Sequence, residues 1–110
     1  MKFKNSNVLI TGGASGIGKI MGRMALEKGA KCFIIWDINP VSIESAKHDL
    51  GKLGKVKGYI VDVADNKKVT EAYGQVVKDC GEVDILINNA GVITSNKTFD
   101  LQTEDEILRT

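Results

Sequence analysis

The sequence predicts an α/β fold in which helices cover a doubly wound parallel sheet. Three observations lead to this prediction. Short apolar runs rich in β-branched residues alternate with longer amphipathic segments, as they do in βαβ units. The apolar runs are nearly continuous, which is typical of strands buried on both faces. A glycine-rich segment, "TGGASGIG" at 11–18, joins the first apolar run to the first amphipathic one.

Four strands are predicted, and each is a short apolar run. They are Asn7–Thr11, Lys31–Trp36, Val56–Val61 and Asp84–Asn88. Because crossovers between parallel strands are almost always right-handed, this succession predicts a sheet of order 3-2-1-4. The direction of winding then changes between the first and fourth strands. Ligands of such sheets bind there, beyond the carboxyl ends of the strands.

The first crossover helix is predicted from about Gly16 to Lys28, and Gly29 is expected to end it. Its apolar residues recur at helical spacing and are expected to face the sheet. These residues are Ile17, Ile20, Met21, Met24 and Ala25.

Asn39 and Asp65 are the expected N-caps of the second and third helices, and Pro40 suits the first position of the second. The inward stripes are expected to be Ile43, Ala46, Leu50 and Leu53 in the second helix and Val69, Ala72, Tyr73, Val76 and Val77 in the third. Thr103 and Glu106 form a capping box, which predicts the start of a fourth helix.

The composition is that of one ordinary globular domain, with 110 residues, 43% hydrophobic and 26% charged. A net charge of +1 gives no electrostatic footprint for nucleic acid or for an anionic membrane. No apolar stretch is long enough to span a bilayer and the N-terminus lacks a secretory signal, so a cytoplasmic location is expected. Cys32 and Cys80 have no metal-ligand spacing and are expected to be reduced thiols, with a disulfide between them as the alternative. His48 is expected on the surface.

The glycine-rich segment is the first candidate binding site. It leaves the first strand and enters the first helix, so the first N–H groups of that helix have no partner within it. A pyrophosphate suits these donors, because the helix dipole favours negative charge and glycines let phosphate oxygens approach the backbone. Gly12 is expected to allow the tight turn, Gly16 the close approach, and Gly18 the packing of the helix on the strand. The alternative is a tight turn without a ligand.

Asp37 is the second candidate. It closes the second strand 19 residues after Gly18, and the ribose-binding acid of dinucleotide folds lies about 20 residues on. Its carboxylate would repel a 2′-phosphate by roughly 4 kcal/mol, for unit charges about 4 Å apart at an effective dielectric near 20. Ser15 and Ile38 supply no cation to offset this, so NAD is predicted over NADP. The alternative is an aspartate that only begins the next helix.

Three segments together resemble the short-chain dehydrogenases/reductases: "TGGASGIG" at 11–18, "VDVAD" at 61–65 and "NNAG" at 88–91. The resemblance covers essentially the whole chain. It implies a Rossmann-type doubly wound parallel sheet that is incomplete, because it comprises only the four strands, the three crossover helices and the start of a fourth helix.

The resemblance also implies roles for individual residues. Asp62 would receive the adenine amino group and Val63 would meet the ring through its backbone. Asn89, Ala90 and Gly91 would pass beneath the cofactor ribose. Thr11 and Asn88 are expected to link the central strands. The expected cofactor-binding residues are Gly12, Ser15, Gly16, Ile17, Gly18, Asp37, Ile38, Asp62, Val63, Asn89, Ala90 and Gly91.

The chemistry implied by the resemblance is hydride transfer between NAD(H) and an alcohol or carbonyl substrate, assisted by a serine and a Tyr-x-x-x-Lys pair. Neither tyrosine fits this pair, because Val63 follows Tyr59 by four residues and Val77 follows Tyr73. No catalytic residue and no metal ligand is therefore assigned. Residues 1–110 are expected to be the cofactor-binding front half of a longer enzyme, a homodimer or homotetramer acting on a small-molecule alcohol or ketone.

Two other classes of protein stay open. A non-catalytic dinucleotide-binding or redox-sensing module would need a partner to cover the edge of the fourth strand. A methyltransferase that uses S-adenosylmethionine would also place an acid after the second strand, but it does not explain "NNAG" or the spacing of the glycine loop.

Overall fold

The computed structural model describes residues 2–89 as seven alternating strands and helices. These are β1 (Asn7–Thr11), α1 (Gly16–Glu27), β2 (Cys32–Asp37), α2 (Pro40–Leu50), β3 (Val56–Ile60), α3 (Asn66–Cys80) and β4 (Ile85–Asn88). The strands form a parallel sheet of order β3-β2-β1-β4. This confirms the predicted fold class and strand order, and the predicted bounds of the strands and of α1 lie within one residue of those observed. The predicted fourth helix lies outside the described residues.

β1 is the central strand of this sheet. It pairs with β2 from Asn7 opposite Cys32 to Thr11 opposite Trp36, and with β4 along its other side. At the carboxyl ends of β1 and β4 the Thr11 hydroxyl donates to Asn88 Oδ1 at 3.0 Å. The predicted link between the two central strands is therefore confirmed.

Alternate residues of β1 and β2 point to opposite faces of the sheet and enter two cores. On the side of α1 and α2 the buried core comprises Val8, Ile10, Ala14, Ala25, Leu26, Phe33, Ile35, Ile43, Ala46, Leu50 and Ile87. On the side of α3 it comprises Leu9, Cys32, Ile34, Trp36, Val61 and Val76. Burial on both faces is thus confirmed for β1 and β2. It is wrong for β3 and β4, where Ile60 and Leu86 are exposed, because the described helices do not cover these outer strands completely, and Leu86 lines an open groove beside α3.

The predicted inward face of α1 is wrong at three of its five positions. Ile17, Ile20 and Met24 are 68%, 59% and 47% exposed. The helix instead buries Gly18, Gly22, Ala25 and Leu26. The reason is steric, since a Cβ at Gly22 would overlap the ring of Phe33, which is fully buried on β2. α1 lies so close to the sheet that only small residues fit along this part of its inner face.

The stripes of the other two helices are partly confirmed. In α2, Ile43, Ala46 and Leu50 are buried as predicted. Leu53 is exposed, because the helix ends at Leu50. In α3 the inward residues are Val69, Ala72 and Val76, whereas Tyr73 and Val77 are exposed. Tyr73 lines an open groove of about 460 Å³ between α3 and β4, which is why it is not covered.

Both predicted N-caps are confirmed. The Asn39 side chain accepts hydrogen bonds from the N–H groups of Val41 and Ser42. The Asp65 side chain accepts from the N–H groups of Lys67 and Lys68. α2 and α3 therefore begin with two of their unpaired donors satisfied by a side chain.

Three smaller expectations concern single features of the chain. His48 is exposed on α2, and Cys32 and Cys80 are free thiols, as expected. Within residues 2–89, none of the helices has both the length and the apolar character required to cross a membrane.

We expect Gly22→Ala to lower the free energy of unfolding by about 1 to 3 kcal/mol, because the added methyl group must displace the buried Phe33 ring. Gly74→Ala on α3 is the matched control, since within the part of the chain that the structure describes its Cβ would meet no neighbouring element within 4 Å. There the better helix propensity of alanine should raise stability by about 0.5 to 1 kcal/mol. Urea unfolding measures both changes. Equal stabilisation by the two substitutions would show that α1 does not lie as close to β2 as described.

Candidate functional site

The glycine-rich segment forms a tight loop between β1 and α1, at the carboxyl edge of the sheet. Gly12 and Gly16 have φ angles of 69° and 56°, in a region that residues with a Cβ rarely adopt. The turn predicted at Gly12 is therefore present. A Cβ at Gly16 would meet no atom of another described element within 4 Å. Space is thus open beside this backbone, where the sequence predicts the approach of a ligand.

Gly18 brings α1 against the loop itself. A Cβ at Gly18 would overlap the Gly12 carbonyl oxygen and would lie 2.9 Å from Nδ2 of Asn89. Asn89 directly follows β4, and its Nδ2 donates to the same Gly12 carbonyl at 3.3 Å. The close packing expected of Gly18 is therefore made mainly with the backbone just beyond β1, and Asn89 holds that backbone from the neighbouring strand.

The N-terminus of α1 presents unpaired donors at this edge of the sheet. The N–H of Lys19 donates to the carbonyl of Ser15 at 3.2 Å, which is the first bond of the helix. The N–H groups of Gly16, Ile17 and Gly18 precede it and have no acceptor within the helix. The first turn of α1 contains no acidic residue. The partial positive charge of the helix terminus therefore has no counter-charge in that turn.

Ser15 differs from the N-caps of the other described helices. It is extended and exposed at the N-cap position of α1, but its side chain makes no capping hydrogen bond within residues 2–89. Asn39 and Asp65 each cap their helix with two such bonds. The Ser15 hydroxyl thus does not cap its own helix, so it is available to form a hydrogen bond with a bound ligand.

Asp37 joins the loop to the end of β2. Its Oδ2 accepts a hydrogen bond from the N–H of Ala14 at 3.2 Å, and its Oδ1 accepts from the N–H of Asn39 at 3.1 Å. The first bond ties the carboxylate to the glycine loop, and the second places it at the entry to α2. Asp37 therefore fills the structural role considered as its alternative and also lies at the candidate site.

A cleft of about 200 Å³ opens beside Asp37. It is lined by Gly12, Trp36, Asp37, Ile38, Val61, Asp62, Val63 and Ala64. The exposed side chain of Ile38 and the half-buried side chain of Val63 make part of it apolar. Asp62 has a fixed carboxylate, because its Oδ1 accepts from the N–H of Ala64 at 2.9 Å. Such a cleft can hold a flat apolar ring whose polar edge groups meet carboxylates.

The structure brings most of the predicted site residues to one edge of the sheet. Gly12, Asp37, Ile38, Asp62 and Val63 line the cleft. The start of α1 carries Ser15, Gly16, Ile17 and Gly18, and Asn89 reaches the loop from β4. Ala90 and Gly91 lie outside the described residues.

Sequence reasoning missed four contributors to this site. Trp36, Val61 and Ala64 line the cleft, and Ala14 donates its N–H to Asp37. The first three could have been found, because each is a direct chain neighbour of a predicted site residue. Ala14 is such a neighbour of Ser15, but its contribution is a backbone N–H group, which the residue type does not signal.

Tyr59 lies outside the cleft and is engaged elsewhere. Its hydroxyl donates to Asp79 Oδ2 at 2.8 Å. Burial, followed by this hydrogen bond, raises the pKa of Tyr59. A tyrosine that acts as a general base near neutral pH needs the opposite shift, which agrees with leaving Tyr59 out of the catalytic set. Among residues 2–89, no three His, Cys, Asp or Glu side chains lie close enough together to hold a metal ion.

The fold and the site define a dinucleotide-binding α/β protein. A glycine loop precedes an unpaired helix N-terminus, and an acid closes the second strand beside that loop, at the carboxyl edge of the sheet. Comparison with known proteins narrows this class. Residues 6–110 match the family model for short chain dehydrogenases. The chain belongs to this family of oxidoreductases, which confirms the resemblance of its motifs.

Individual relatives agree with this assignment. The chain is 35% identical over 106 residues to the 3-oxoacyl-acyl-carrier-protein reductase FabG of Thermotoga maritima, an alignment that covers 96% of this chain and 43% of that protein. It is 35% identical over 99 residues to epidermal retinol dehydrogenase 2 of Homo sapiens, covering 88% and 32%. The crystal structure of NAD⁺-bound xylitol dehydrogenase matches with a TM-score of 0.77 and 26% identity, covering 97% and 44%. The chain thus spans less than half the length of these relatives.

We expect Ser15→Ala to leave the free energy of unfolding almost unchanged, because the Ser15 side chain makes no capping bond within the described residues. Asp65→Ala is the control and should cost about 1 kcal/mol, since the Asp65 side chain satisfies two N–H groups of α3. Urea unfolding of both variants without nucleotide measures the difference. If Ser15→Ala lowers the free energy of unfolding as much as Asp65→Ala does, the Ser15 hydroxyl does help to stabilise α1.

Proposed function

We propose that residues 1–110 are the cofactor-binding portion of an NAD-dependent dehydrogenase or reductase. The enzyme would transfer a hydride between NAD(H) and the carbon of a small-molecule alcohol or ketone. The observation that carries this proposal is the position of the Asp37 carboxylate, which is bonded to the glycine loop and borders the cleft. The Asp37 carboxylate can accept hydrogen bonds from the sugar hydroxyls of a dinucleotide. The unpaired N–H groups at the start of α1 lie beside it and suit the pyrophosphate of the same molecule.

The start of α1 fits a pyrophosphate. The N–H groups of Gly16, Ile17 and Gly18 would bind its oxygens together with the Ser15 hydroxyl, because unpaired donors and the helix dipole favour an anion. The open space beside Gly16 supports this fit, since a Cβ placed there would touch no neighbouring element among the described residues.

The cleft fits the adenosine end of the cofactor. Ile38 and Val63 offer apolar contacts to the adenine ring, and the Asp62 carboxylate can accept a hydrogen bond from its amino group. Asn89, with Ala90 and Gly91, would pass beneath the cofactor ribose. When bound, the nicotinamide supplies the hydride donor or acceptor, and the residues of this chain hold and orient it.

Charge at the site favours NAD over NADP. A 2′-phosphate would face Asp37, and even half of the repulsion of roughly 4 kcal/mol between unit charges about 4 Å apart disfavours NADP more than tenfold. Lys19 is the cation nearest to the loop in the sequence. It does not offset this repulsion, because its Nζ pairs with Asp49 at 2.6 Å.

Trp36 provides a direct measurement of binding, because it is the single tryptophan of the chain and lines the cleft. We expect NADH to change its fluorescence with a dissociation constant at least about tenfold lower than that of NADPH. Tighter binding of NADPH would overturn the role given to Asp37. If neither NADH nor NADPH binds, the chain does not form a cofactor site and the proposed function is refuted.

Asp37→Asn tests the same residue without changing its size. We expect this variant to weaken NADH binding and to reduce the preference over NADPH to less than about threefold, because the repelling charge is gone. Glu44→Gln is the matched control, since it removes one exposed carboxylate from α2 outside the cleft. It should keep the preference of the unchanged protein. The same preference in all three proteins would mean that Asp37 does not face the ribose.

A further inference from the structure

The two cysteines of the chain contact each other at the amino edge of the sheet. Cys32 is the first residue of β2 and is buried, and Cys80 is the last residue of α3 and is half-buried. Their Sγ atoms are 4.0 Å apart. Cys32 pairs with Asn7 at the start of β1, whereas the cofactor cleft adjoins Asp37 at the other end of β2. The proposed function leaves both thiols without a role.

The surrounding contacts hold the two thiols in place. The Asn7 side chain donates from Nδ2 to the carbonyl oxygens of Cys80 and Glu82, at 3.0 and 2.9 Å. These bonds fix the end of α3 to the central strand. The hydroxyl of Tyr59 lies 3.9 Å from Cys80 Sγ and donates to the neighbouring Asp79. The proximity of the thiols is therefore set by two anchored elements of the fold.

The two thiols differ in their access to solvent. Burial, followed by the neighbouring Cys80 thiol, raises the pKa of Cys32 to about 12, so Cys32 stays protonated and unreactive toward external reagents. Cys80 is partly accessible. An oxidant from solution would therefore reach Cys80 first, because reactivity follows exposure and thiolate character.

We propose that Cys32 and Cys80 form a reversible intramolecular disulfide when the protein meets hydrogen peroxide. The Cys80 sulfur attacks one peroxide oxygen, the O–O bond breaks, and one water leaves with the thiol proton, so that Cys80 becomes a sulfenic acid. The Cys32 sulfur then attacks the Cys80 sulfur, the S–O bond breaks, and the hydroxyl leaves as water with the Cys32 proton. Two thiols and one peroxide thus give one disulfide and two waters. A thiol reductant reverses the change.

The disulfide would link the start of β2 to the end of α3. A disulfide bond is about 2.05 Å long, so the two sulfurs must approach by about 2 Å. Rotation of the Cys80 side chain at the last turn of the helix supplies such a movement. The link would close a long loop of the chain and so restrict the unfolded state. It would stabilise the fold from the edge opposite the cofactor cleft.

The experiment is peroxide oxidation of the reduced protein, followed by thiol counting, intact mass and peptide mapping. We expect both thiols to disappear together, the mass to fall by two hydrogen atoms, and Cys32 and Cys80 to be found in one linked pair of peptides within a monomer. Dithiothreitol should restore both thiols. The thermal midpoint should rise by about 10 °C in the oxidised form.

Three other results would each overturn the proposal: two persistent thiols, a disulfide between two molecules, or a sulfinic or sulfonic acid on Cys80 with Cys32 unchanged. Oxidation in urea provides a further test. We expect the linked form to appear at least about tenfold more slowly there, and an equal rate would show that the fold does not hold the pair together.

Single substitutions assign the order of the steps. Cys32→Ala should accumulate a sulfenic acid on Cys80 that dimedone traps, and Cys80→Ala should keep its Cys32 thiol at the same dose of peroxide. Modification of Cys32 at that dose would refute the order. The mass and peptide map of the unsubstituted protein show whether the disulfide forms, even if a variant fails to fold.

Discussion

The close approach of α1 to the sheet is the constraint on which the rest of the structure depends. It requires glycine at positions 18 and 22, because a Cβ at either would overlap the Gly12 carbonyl or the Phe33 ring. Since Phe33 is completely buried, its ring has little room to move away. The helix axis is thereby fixed, and so is the place at which its first N–H groups emerge. The end of α1 that is proposed to bind the pyrophosphate is thus positioned by packing in the core rather than by the loop alone.

Asp37 connects this constraint to the proposed recognition of the cofactor. Its hydrogen bond from Ala14 ties the carboxylate to the loop that α1 holds in place, and its bond from Asn39 ties it to the start of α2. A carboxylate held by two N–H groups loses little conformational freedom when it binds a ribose. Its negative charge is also kept in one place, which is what discrimination against a 2′-phosphate requires.

Most features that the sequence predicted correctly have a local signal, and the link between Thr11 and Asn88, 77 positions apart, was predicted from the family resemblance instead. Strand bounds and order follow from the alternation of apolar runs and from handedness, and the caps Asn39 and Asp65 follow from residue type next to a helix. The inner face of α1 was predicted wrongly, because apolar periodicity gives weight to Ile17 and Ile20 and none to glycine. Which face turned inward was decided by the size of Phe33 on another element, and helical spacing carries no information about that.

The other features that could not be predicted from the sequence are contacts between residues far apart in the chain. Asn89 and Gly12 are 77 positions apart, and Cys32 and Cys80 are 48 apart. In each case the register of the sheet and the length of a crossover bring the partners together. β2 joins these two regions, because its first residue lies at the thiol pair and its last residue at the cofactor cleft. A strand buried on both faces separates the two ends, so a covalent link at the amino edge can change the stability of the fold without entering the site where the nucleotide is proposed to bind.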